Sequence, residues 1–273
     1  MFVKGDFLFS VDLEDVRDHV QNGYTYSERV PGNTERYLRF FKEHHIHVTF
    51  FVVGLVAERY PDLIRRIVDE GHEIACHTHT HVQLDKHTPE SLADDLEHNL
   101  EVLQKCGAKD IAGFRAPTFS LTDKTQWAYP VLERLGFRYS SSVIPSHNRL
   151  YGWFGFSIEP RSFGGVLEMP LTLHPSFFSY PLAGGVYFRV LPFFLIMYGI
   201  KRTIRQGRFI QSYFHPYDID PGQERFMHPD ISGNRILNAL MYLGRKKVFS
   251  RLERIMEICS FTSYREYLGR EVM

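Results

Sequence analysis

The chain contains little cysteine. Its three cysteines, Cys76, Cys106 and Cys259, are an odd number, are widely spaced and form no CxxC pair. This pattern argues against a disulfide framework and favours reduced, buried thiols in a cytosolic protein. None of the three lies in a sequence context that marks a nucleophile.

The sequence also has no excess of charge of one sign. Lys and Arg together number 32, and Asp and Glu together number 32. Such a chain has no global field that attracts nucleic acid or an acidic membrane, so we expect a small or neutral partner. With 273 residues, 44% of them hydrophobic, the chain can bury one large core, and we predict a single domain over residues 1–273.

No apolar run is long enough to cross a bilayer. The longest, Val190 to Ile200, contains Pro192 and is followed by Lys201 and Arg202. We interpret it as a core helix with a basic last turn, and a membrane-surface helix is the less favoured alternative. The first residues lack the basic segment and cleavage site of a secretory signal peptide, so we expect a cytoplasmic protein.

Strand-like and helix-like segments alternate along the chain. The predicted strands cover 7–11, 48–53, the residues just before His77, 111–114, 137–141, 166–169 and 208–214. The predicted helices cover 33–44, 61–69, 89–105, 127–135, 191–206 and 245–258, with a loop at 16–32, irregular chain at 151–185 and a capped turn at 262–267. This alternation predicts an α/β fold with parallel strands joined by right-handed crossovers.

Three alternate histidines, His77, His79 and His81, follow an apolar strand. Imidazole is a common ligand of transition metals. If the backbone forms a helical turn, His77 and His81 share one face, as in the HExxH motif; if it is extended, all three histidines share one side. In either case the pattern favours a metal site over a surface loop that is rich in histidine.

Other predicted strand ends carry further polar residues. Asp12, Glu14 and Asp15 follow the first strand, while Arg115 and His215 follow later strands. Three carboxylates so close together repel one another unless a cation or an arginine is near. A solvated surface turn would tolerate them, but the apolar run before Asp12 favours a position inside the fold. The carboxyl ends of parallel strands share one rim, so we expect these groups and the histidines to meet in one cleft. Together they could supply metal ligands, a general base and a general acid.

These residues resemble the metal-dependent polysaccharide deacetylases of the NodB-homology type, carbohydrate esterase family four, from the first strand to about residue 222. The matching motifs are Ser10 to Asp15, Thr49 to Phe51, Gly71 to Glu73, His77 to His81, Arg115 to Phe119 and Tyr213 to Pro216. The opening motif, together with Gly184 to Arg189 and His215 to Pro221, looks closest to a bacterial subgroup linked to exopolysaccharide and O-antigen gene sets.

The resemblance implies a distorted, incomplete (β/α) barrel of about seven parallel strands. It also implies that Asp12 is the base, that His77 and His81 bind a divalent ion with zinc as the first choice, that Arg115 tunes the base and that His215 is the acid. The reaction implied is removal of an N-acetyl group from an amino sugar.

The chain departs from the family pattern at two places. The family usually offers an aspartate as the third metal ligand, whereas this chain has Glu14 two residues after Asp12 and Asp15 three residues after it. Family members with an Asp-x-Asp motif favour Glu14, and Asp15 stays a candidate. An acidic residue that often orients the acid histidine is replaced by Ser140, so another group, such as Asp218, must orient His215 or the role of His215 is weakened.

Several further expectations concern the substrate. A backbone N–H near Thr118 or Phe119 is expected to stabilise the oxyanion, and the aromatic candidates for stacking on sugar are Phe119, Trp153, Tyr187 and Phe188. A cytoplasmic enzyme suits nucleotide-linked or lipid-linked amino sugars. Two alternatives stay open: a related hydrolase on the same scaffold, either an allantoinase-like cyclic amidase or a sugar deformylase, and an inactive carbohydrate-binding barrel. The sequence does not predict the oligomeric state.

Overall fold

The structure, a computed structural model, describes residues 4–147, 151–175, 180–228 and 233–271. Its strands are β1 (Gly5–Leu8), β2 (Ser10–Leu13), β3 (Thr49–Val52), β4 (Glu73–Cys76), β5 (Gly113–Phe114), β6 (Tyr139–Ser140), β7 (Arg161–Phe163), β8 (Val166–Glu168), β9 (Ala183–Gly184), β10 (Ile210–Tyr213) and β11 (Cys259–Thr262). Its α-helices are α1 (Val30–Glu43), α2 (Gly54–Arg59), α3 (Pro61–Asp69), α4 (Pro89–Lys105), α5 (Ala128–Arg134), α6 (Gly185–Val190), α7 (Phe193–Arg205), α8 (Arg235–Leu240), α9 (Val248–Met256) and α10 (Tyr264–Glu271). Part of the predicted irregular segment, 176–179, lies outside the described residues.

The chain divides into two compact units, each built from segments that are distant in sequence. The first unit comprises residues 1–48 and 174–262, and the second comprises residues 49–173 and 263–273. The single catalytic domain over residues 1–273 stays a prediction.

The first unit contains a parallel sheet in the order β11-β1-β10-β9. Its core is aromatic: Phe9 stacks on Phe214 with ring centroids 5.1 Å apart, and Phe7 stacks on Phe261 at 4.5 Å. Offset aromatic pairs of this kind stabilise a core beyond the area that they bury. The packing fixes β2 beside the end of β10, where the Asp12 N–H donates to the Phe214 carbonyl at 2.7 Å.

The second unit contains strands in the order β3-β4-β5-β6-β8-β7, all parallel except the β7–β8 pair. Buried apolar residues of α4 and α5 join Cys76 of β4 and Phe114 of β5 in one hydrophobic cluster. Helix α4 begins sharply because Thr88 and Ser91 cap each other's backbone N–H groups and Pro89 occupies the first turn.

A buried carboxylate connects the ends of the second unit's sequence. Glu73 accepts hydrogen bonds from Thr49 Oγ1 at 2.6 Å, Tyr139 OH at 2.9 Å and the Arg265 N–H at 2.9 Å. Burial raises the pKa of Glu73, and these three donors oppose that shift. Tyr264 stacks on Tyr139 with centroids 5.3 Å apart. Helix α10 is thereby fastened to strands that precede it by more than 100 residues.

The predicted α/β class with parallel strands is confirmed, and α3 and α4 have the predicted bounds. The first predicted strand is instead two strands separated by Phe9. Helix α1 begins at Val30, before the predicted start, because Pro31 is well suited to a first helical turn, where its missing N–H has no partner to lose. Pro192 delays the start of α7, which buries Ile196 and Ile200 and ends in basic residues, as predicted.

Some elements were not predicted from the sequence. They are α2, α6, α8, α10, β7, β9 and β11. The segment Cys259–Thr262 is short and carries no strong local signal, and it becomes a strand because it pairs in register with β1. Within the described residues, we find no helix with the length and hydrophobicity that a membrane crossing requires.

The three cysteines are free and buried, as predicted. Burial raises the pKa of the Cys259 thiol to about 12 and raises that of Cys76 further. Because the thiolate is the reactive form, these side chains are inert core residues.

Candidate active site

Three buried carboxylates lie in and after β2, in the first unit. Asp12 is 2% exposed, Asp15 3% and Glu14 7%. The sequence places Asp12 at the end of a strand, whereas the structure places it within β2, and Glu14 and Asp15 follow the strand. Buried carboxylates of this kind need cations or hydrogen-bond donors around them.

Glu14 and Asp15 have different surroundings. Tyr217 OH donates to Glu14 Oε1 at 3.0 Å. Asp15 Oδ1 accepts from the Arg17 N–H at 3.0 Å and so caps a short helical turn at Val16–Asp18. Both carboxylates line a small pocket of about 10 Å³, room for little more than one water molecule or ion. The capping role of Asp15 favours Glu14 as the third ligand.

His215 lies between these carboxylates and an aromatic ring. It follows β10 and stacks on Tyr217 with ring centroids 4.6 Å apart. Its Nε2 lies 3.8 Å from Glu14 Oε1 and 4.0 Å from Asp12 Oδ2. A candidate acid and a candidate base therefore lie together within the first unit.

Asp218 holds the other side of the His215 ring. Its Oδ2 accepts from the His215 backbone N–H at 2.9 Å and lies 2.9 Å from the ring Nδ1. A carboxylate only accepts, so Nδ1 carries a proton and Nε2 faces Asp12 and Glu14. The sequence offers Asp218 as the replacement for the acidic residue missing at Ser140, and the structure places it in contact with His215.

The charges around His215 determine its protonation. Burial lowers the pKa of His215. The negative charge of Glu14, the hydrogen bond to Asp218 and the charges of Asp218 and Asp12 act in the opposite direction, and together they raise the pKa to about 9. Burial also opposes ionisation of Asp218, yet the Arg189 charge and the contacts with His215 lower its pKa to about 2. In this set of groups His215 is protonated at neutral pH and Asp218 is ionised.

Sequence reasoning missed two residues of this group. Arg189 Nε lies 2.8 Å from Asp218 Oδ1, with both side chains buried, and Arg189 Nη1 donates to the carbonyls of Met241 and Leu243. Tyr217 both stacks on His215 and donates to Glu14. Arg189 belongs to the Gly184 to Arg189 segment that resembles the family subgroup, but nothing local indicates its partner.

In the second unit, the loop from His77 to His81, the histidine loop, follows β4 and is neither helical nor extended. Thr78 and His81 have left-handed φ values of 62° and 58°. The His81 N–H donates to Thr78 Oγ1 at 3.0 Å, and the rings of His77 and His81 approach to a centroid distance of 4.8 Å. Both regular backbone alternatives are therefore wrong, although the two rings do converge.

The arrangement of His77 fits a divalent metal ion. Its Nδ1 lies 2.8 Å from the Arg115 carbonyl oxygen, which can only accept, so Nδ1 carries the proton. Nε2 of the neutral ring then holds the lone pair that a metal needs. Metal-binding histidines commonly donate their other N–H to a carbonyl or carboxylate in this way.

Arg115 follows β5 and is fully buried. Its guanidinium lies 4.0 Å from the centre of the Phe51 ring, its Nε donates to the Ser141 carbonyl at 3.0 Å, and its Nη2 lies 2.9 Å from Ser141 Oγ and from Tyr264 OH. These contacts hold the side chain rigidly. Its predicted influence on Asp12 stays a prediction.

Thr118 and Phe119 form a strained turn next to Arg115. Their φ values are 53° and 55°, in the left-handed region that non-glycine residues rarely adopt. The Phe119 N–H donates to the Ala116 carbonyl at 3.1 Å within this turn. Of the two predicted oxyanion donors we therefore keep the Thr118 N–H. The Phe119 ring is 7% exposed and lies 5.3 Å from the Arg115 guanidinium.

The predicted sugar-stacking aromatics differ in exposure. Tyr187, in α6, is 37% exposed and stacks on Tyr180 with centroids 5.7 Å apart. Phe188 is fully buried and packs edge-on against Phe214, so its predicted role in stacking on sugar is wrong. Trp153 packs against Phe156 at the edge of the second unit's core.

Ser140, in β6, belongs to a separate buried network of the second unit. Its hydroxyl donates to Ser142 Oγ at 2.8 Å. The Glu168 carboxylate accepts from the backbone N–H groups of Ser142 and Val143 at 2.8 and 3.0 Å. Burial raises the pKa of Glu168, and its hydrogen bonds, including one with Ser140, oppose that shift.

The structure defines an α/β protein with mostly parallel strands, whose strand ends carry carboxylates, histidines and an arginine. Residues 21–140 match the family described as polysaccharide deacetylase, and residues 141–269 match a domain of unknown function, DUF3473. The match to the polysaccharide deacetylase family thus covers somewhat less than half of the chain.

Two curated relatives illustrate the similarity. A peptidoglycan deacetylase of Helicobacter pylori is 29% identical over 143 residues, which are 52% of this chain and 46% of the relative. A chitooligosaccharide deacetylase of Sinorhizobium fredii is 38% identical over 88 residues, which are 32% of this chain and 41% of the relative. The chain thus spans less than half the length of either relative.

Solved structures share the fold. A protein from Mycobacterium smegmatis classed with the polysaccharide deacetylases has a TM-score of 0.68 and 18% identity, over 98% of this chain and 90% of that one. Puue allantoinase has a TM-score of 0.55 and 19% identity, over 86% of this chain and 70% of that one. The predicted α/β fold with mostly parallel strands is shared with these structures, and the neighbours of carbohydrate esterase family four have a distorted (β/α) barrel. Because both proteins share this fold, the fold by itself does not choose between their activities.

Proposed function

We propose that this chain removes an N-acetyl or related N-acyl group from an amino sugar by metal-assisted hydrolysis. The observation that carries the proposal is His215, a buried imidazole whose Nε2 lies 3.8 Å from Glu14 and 4.0 Å from Asp12. Amide hydrolysis needs a base for the attacking water and an acid for the leaving amine, and this group can supply both. The match of residues 21–140 to the polysaccharide deacetylase family supports the same reaction class.

Each residue of the first unit then has a task. Asp12 accepts the proton of the attacking water, and His215 donates a proton to the leaving amine, which leaves poorly without it. Asp218 holds the His215 ring through Nδ1, and Arg189 keeps Asp218 ionised. Tyr217 fixes the Glu14 carboxylate.

The residues proposed to hold a divalent ion are His77, His81 and Glu14, with Asp15 as the alternative third ligand and zinc as the preferred metal. When bound, such an ion lowers the pKa of a water molecule and polarises the acyl carbonyl. In the same proposal Arg115 keeps Asp12 ionised. Thr118 contributes its N–H to the oxyanion, and the sugar contacts Thr118, Phe119 and Tyr187.

The substrate that we propose is a nucleotide-linked or lipid-linked amino sugar used in surface-polysaccharide biosynthesis. The resemblance to an exopolysaccharide and O-antigen subgroup supports this choice, and the balanced charge argues against nucleic acid as a partner. A cytoplasmic location is part of the same proposal.

The test measures acetate and free amine released from N-acetylhexosamine oligomers and nucleotide-linked N-acetylhexosamine, with zinc-loaded and chelated protein. We expect turnover only with metal, and a fall of at least about 100-fold for Asp12→Asn and His215→Gln. Asp220→Asn is the matched control, because it changes another buried carboxylate that lies two residues beyond Asp218.

Other outcomes of this experiment contradict the proposal. Equal rates in chelated and loaded protein refute the metal requirement. Turnover of allantoin or of an N-formyl sugar alone identifies a related hydrolase on the same scaffold. Glycan binding without turnover of any acylated sugar identifies an inactive carbohydrate-binding barrel.

A further inference from the structure

A second group of metal-type ligands lies within the second unit, apart from His77 and His81. Its members are Glu58 of α2, His79 of the histidine loop and His98 of α4, and their candidate ligand atoms all lie within 4.8 Å of one another. Glu58 Oε2 is 3.8 Å from His79 Nε2, and Glu58 Oε1 is 3.4 Å from His98 Nε2. The two imidazole centroids are 4.1 Å apart.

The fold holds His79 in place for this group. The Asp95 carboxylate accepts from the His79 N–H at 2.6 Å and from the Thr80 N–H at 3.1 Å, while the Leu55 N–H donates to the His79 carbonyl at 3.1 Å. Contacts on both sides of the peptide fix the direction in which the ring projects. His79 therefore has little freedom to leave the cluster.

The two ring nitrogens of His79 have different surroundings. A Cβ placed on Gly54 would lie only 2.1 Å from Nδ1, so this nitrogen is packed against the α2 backbone. Nδ1 is buried and has no hydrogen-bond partner among the described residues. Nε2 is the nitrogen that faces Glu58, and a neutral ring protonated at Nδ1 presents a lone pair there.

The spacing suits a small transition-metal ion better than direct hydrogen bonds. Zn–N and Zn–O bonds of about 2.0–2.2 Å in a tetrahedron place neighbouring ligand atoms about 3.3–3.6 Å apart. The Glu58 to His79 distance of 3.8 Å is too long for a hydrogen bond, yet it needs to shorten by only a few tenths of an ångström around an ion. The side chains of His98 and Glu58 are 50% and 45% exposed, which leaves a fourth position open to water.

We propose that Glu58, His79 and His98 form an accessory site for zinc or a similar divalent transition metal. An ion there fastens α2 and α4 to the loop that also carries His77 and His81. The accessory site does not depend on the proposed deacetylase reaction, because its ligands are different residues and its metal has no part in the chemistry.

The test counts bound zinc in the full-length protein by elemental analysis and titrates the metal-free protein calorimetrically. We expect two equivalents in the wild type and one in the double variant E58Q/H98Q, whose accessory affinity falls by at least about 100-fold, since loss of even an outer-shell partner can cost 10–100-fold. The matched control is E97Q/H87Q, which changes the same residue types in and beside α4 but outside the cluster. If E58Q/H98Q binds as much zinc as the control with the same affinities, the accessory site is refuted.

A second experiment uses a variant without His77 and His81, and it separates this proposal from the proposed function. In H77A/H81A we expect added zinc still to raise the melting temperature, because an ion that binds only the folded state stabilises it. Adding E58Q/H98Q to that background should abolish the shift. If zinc still raises the melting temperature of the quadruple variant, the accessory site is refuted. If the wild type binds zinc only through Glu58, His79 and His98, the metal role of His77 and His81 is refuted instead.

Discussion

The contact between Asp218 and His215 makes a quantitative prediction for the variant Asp218→Asn. In the wild type a carboxylate oxygen lies 2.9 Å from His215 Nδ1, and Arg189 balances the carboxylate from 2.8 Å on its other side. An asparagine can still offer a carbonyl oxygen to Nδ1, so the ring can keep its orientation. The substitution removes the negative charge and leaves the Arg189 charge uncompensated.

The size of the effect follows from the hydrogen bond. A bond to a charged group contributes about 1.5–3 kcal/mol and a neutral one about 0.5–1.5 kcal/mol, so the protonated ring loses about 1–1.5 kcal/mol, or about one pKa unit. The loss of the Asp218 charge and the uncompensated charge of buried Arg189 also lower the pKa of His215. We therefore expect the pKa of His215 to fall by about 1–2 units from its value of about 9 in the metal-free protein.

The measurement is an NMR titration of the His215 ring in metal-free protein. Asp220→Asn is again the control, because Asp220 accepts from Arg29 and Asn33 rather than from His215. If His215 is the catalytic acid, the basic limb of the pH profile of kcat/KM moves in the same direction. A His215 pKa within 0.3 unit of wild type in Asp218→Asn refutes the reasoning.

Folding sets one condition on this experiment. Removing one partner of a buried ion pair costs about 3–5 kcal/mol because a charge stays buried without its partner. If Asp218→Asn alone does not fold, the double variant D218N/R189M removes both charges and should recover stability. A smaller fall in the His215 pKa, of about one unit, is expected there, because the carboxylate is absent but the Arg189 charge is absent too.

Three further predictions concern stability. The raised pKa of His215 stabilises metal-free protein by about 3 kcal/mol below pH 6.5, and this contribution is lost as the pH rises through about 9. In urea unfolding at a series of pH values, His215→Gln should lack this part of the pH dependence. If the free energy of unfolding of the variant depends on pH as the wild type's does, the pKa assignment is contradicted. Arg115→Lys should lower the free energy of unfolding in urea by about 3 kcal/mol, because the hydrogen bonds to Ser141 and Tyr264 are lost. The control Arg138→Lys should be nearly neutral, because Arg138 forms only an exposed ion pair with Asp110. Similar costs for the two variants contradict the reasoning. Gly54→Ala should destabilise the protein by about 1–3 kcal/mol, because the added Cβ collides with His79 Nδ1. Gly32→Ala should leave the stability unchanged, because there is open space around its Cβ. Equal melting temperatures for the two variants refute the packing argument.

Local sequence patterns were sufficient for the main features of the fold. Apolar runs that end in polar groups identified the strands before Asp12, His77, Arg115 and His215, and proline and glycine marked the bounds of α3 and α4. These signals are local, because strand propensity and helix capping depend on neighbours within a few residues. The same property explains the missed β11, whose pairing partner β1 lies more than 250 residues away.

The candidate site shows the same division between local and long-range information. The sequence by itself determined which residue types follow each strand, and so it named Asp12, Glu14, His77, His81, Arg115 and His215. Only the tertiary structure decided that Arg189 pairs with Asp218, that left-handed residues turn the histidine loop, and that His79 faces Glu58 and His98 instead of its sequence neighbours. The physical reason is that charge pairing and ring direction depend on groups that the chain brings together from distant segments, and no local pattern records those distances.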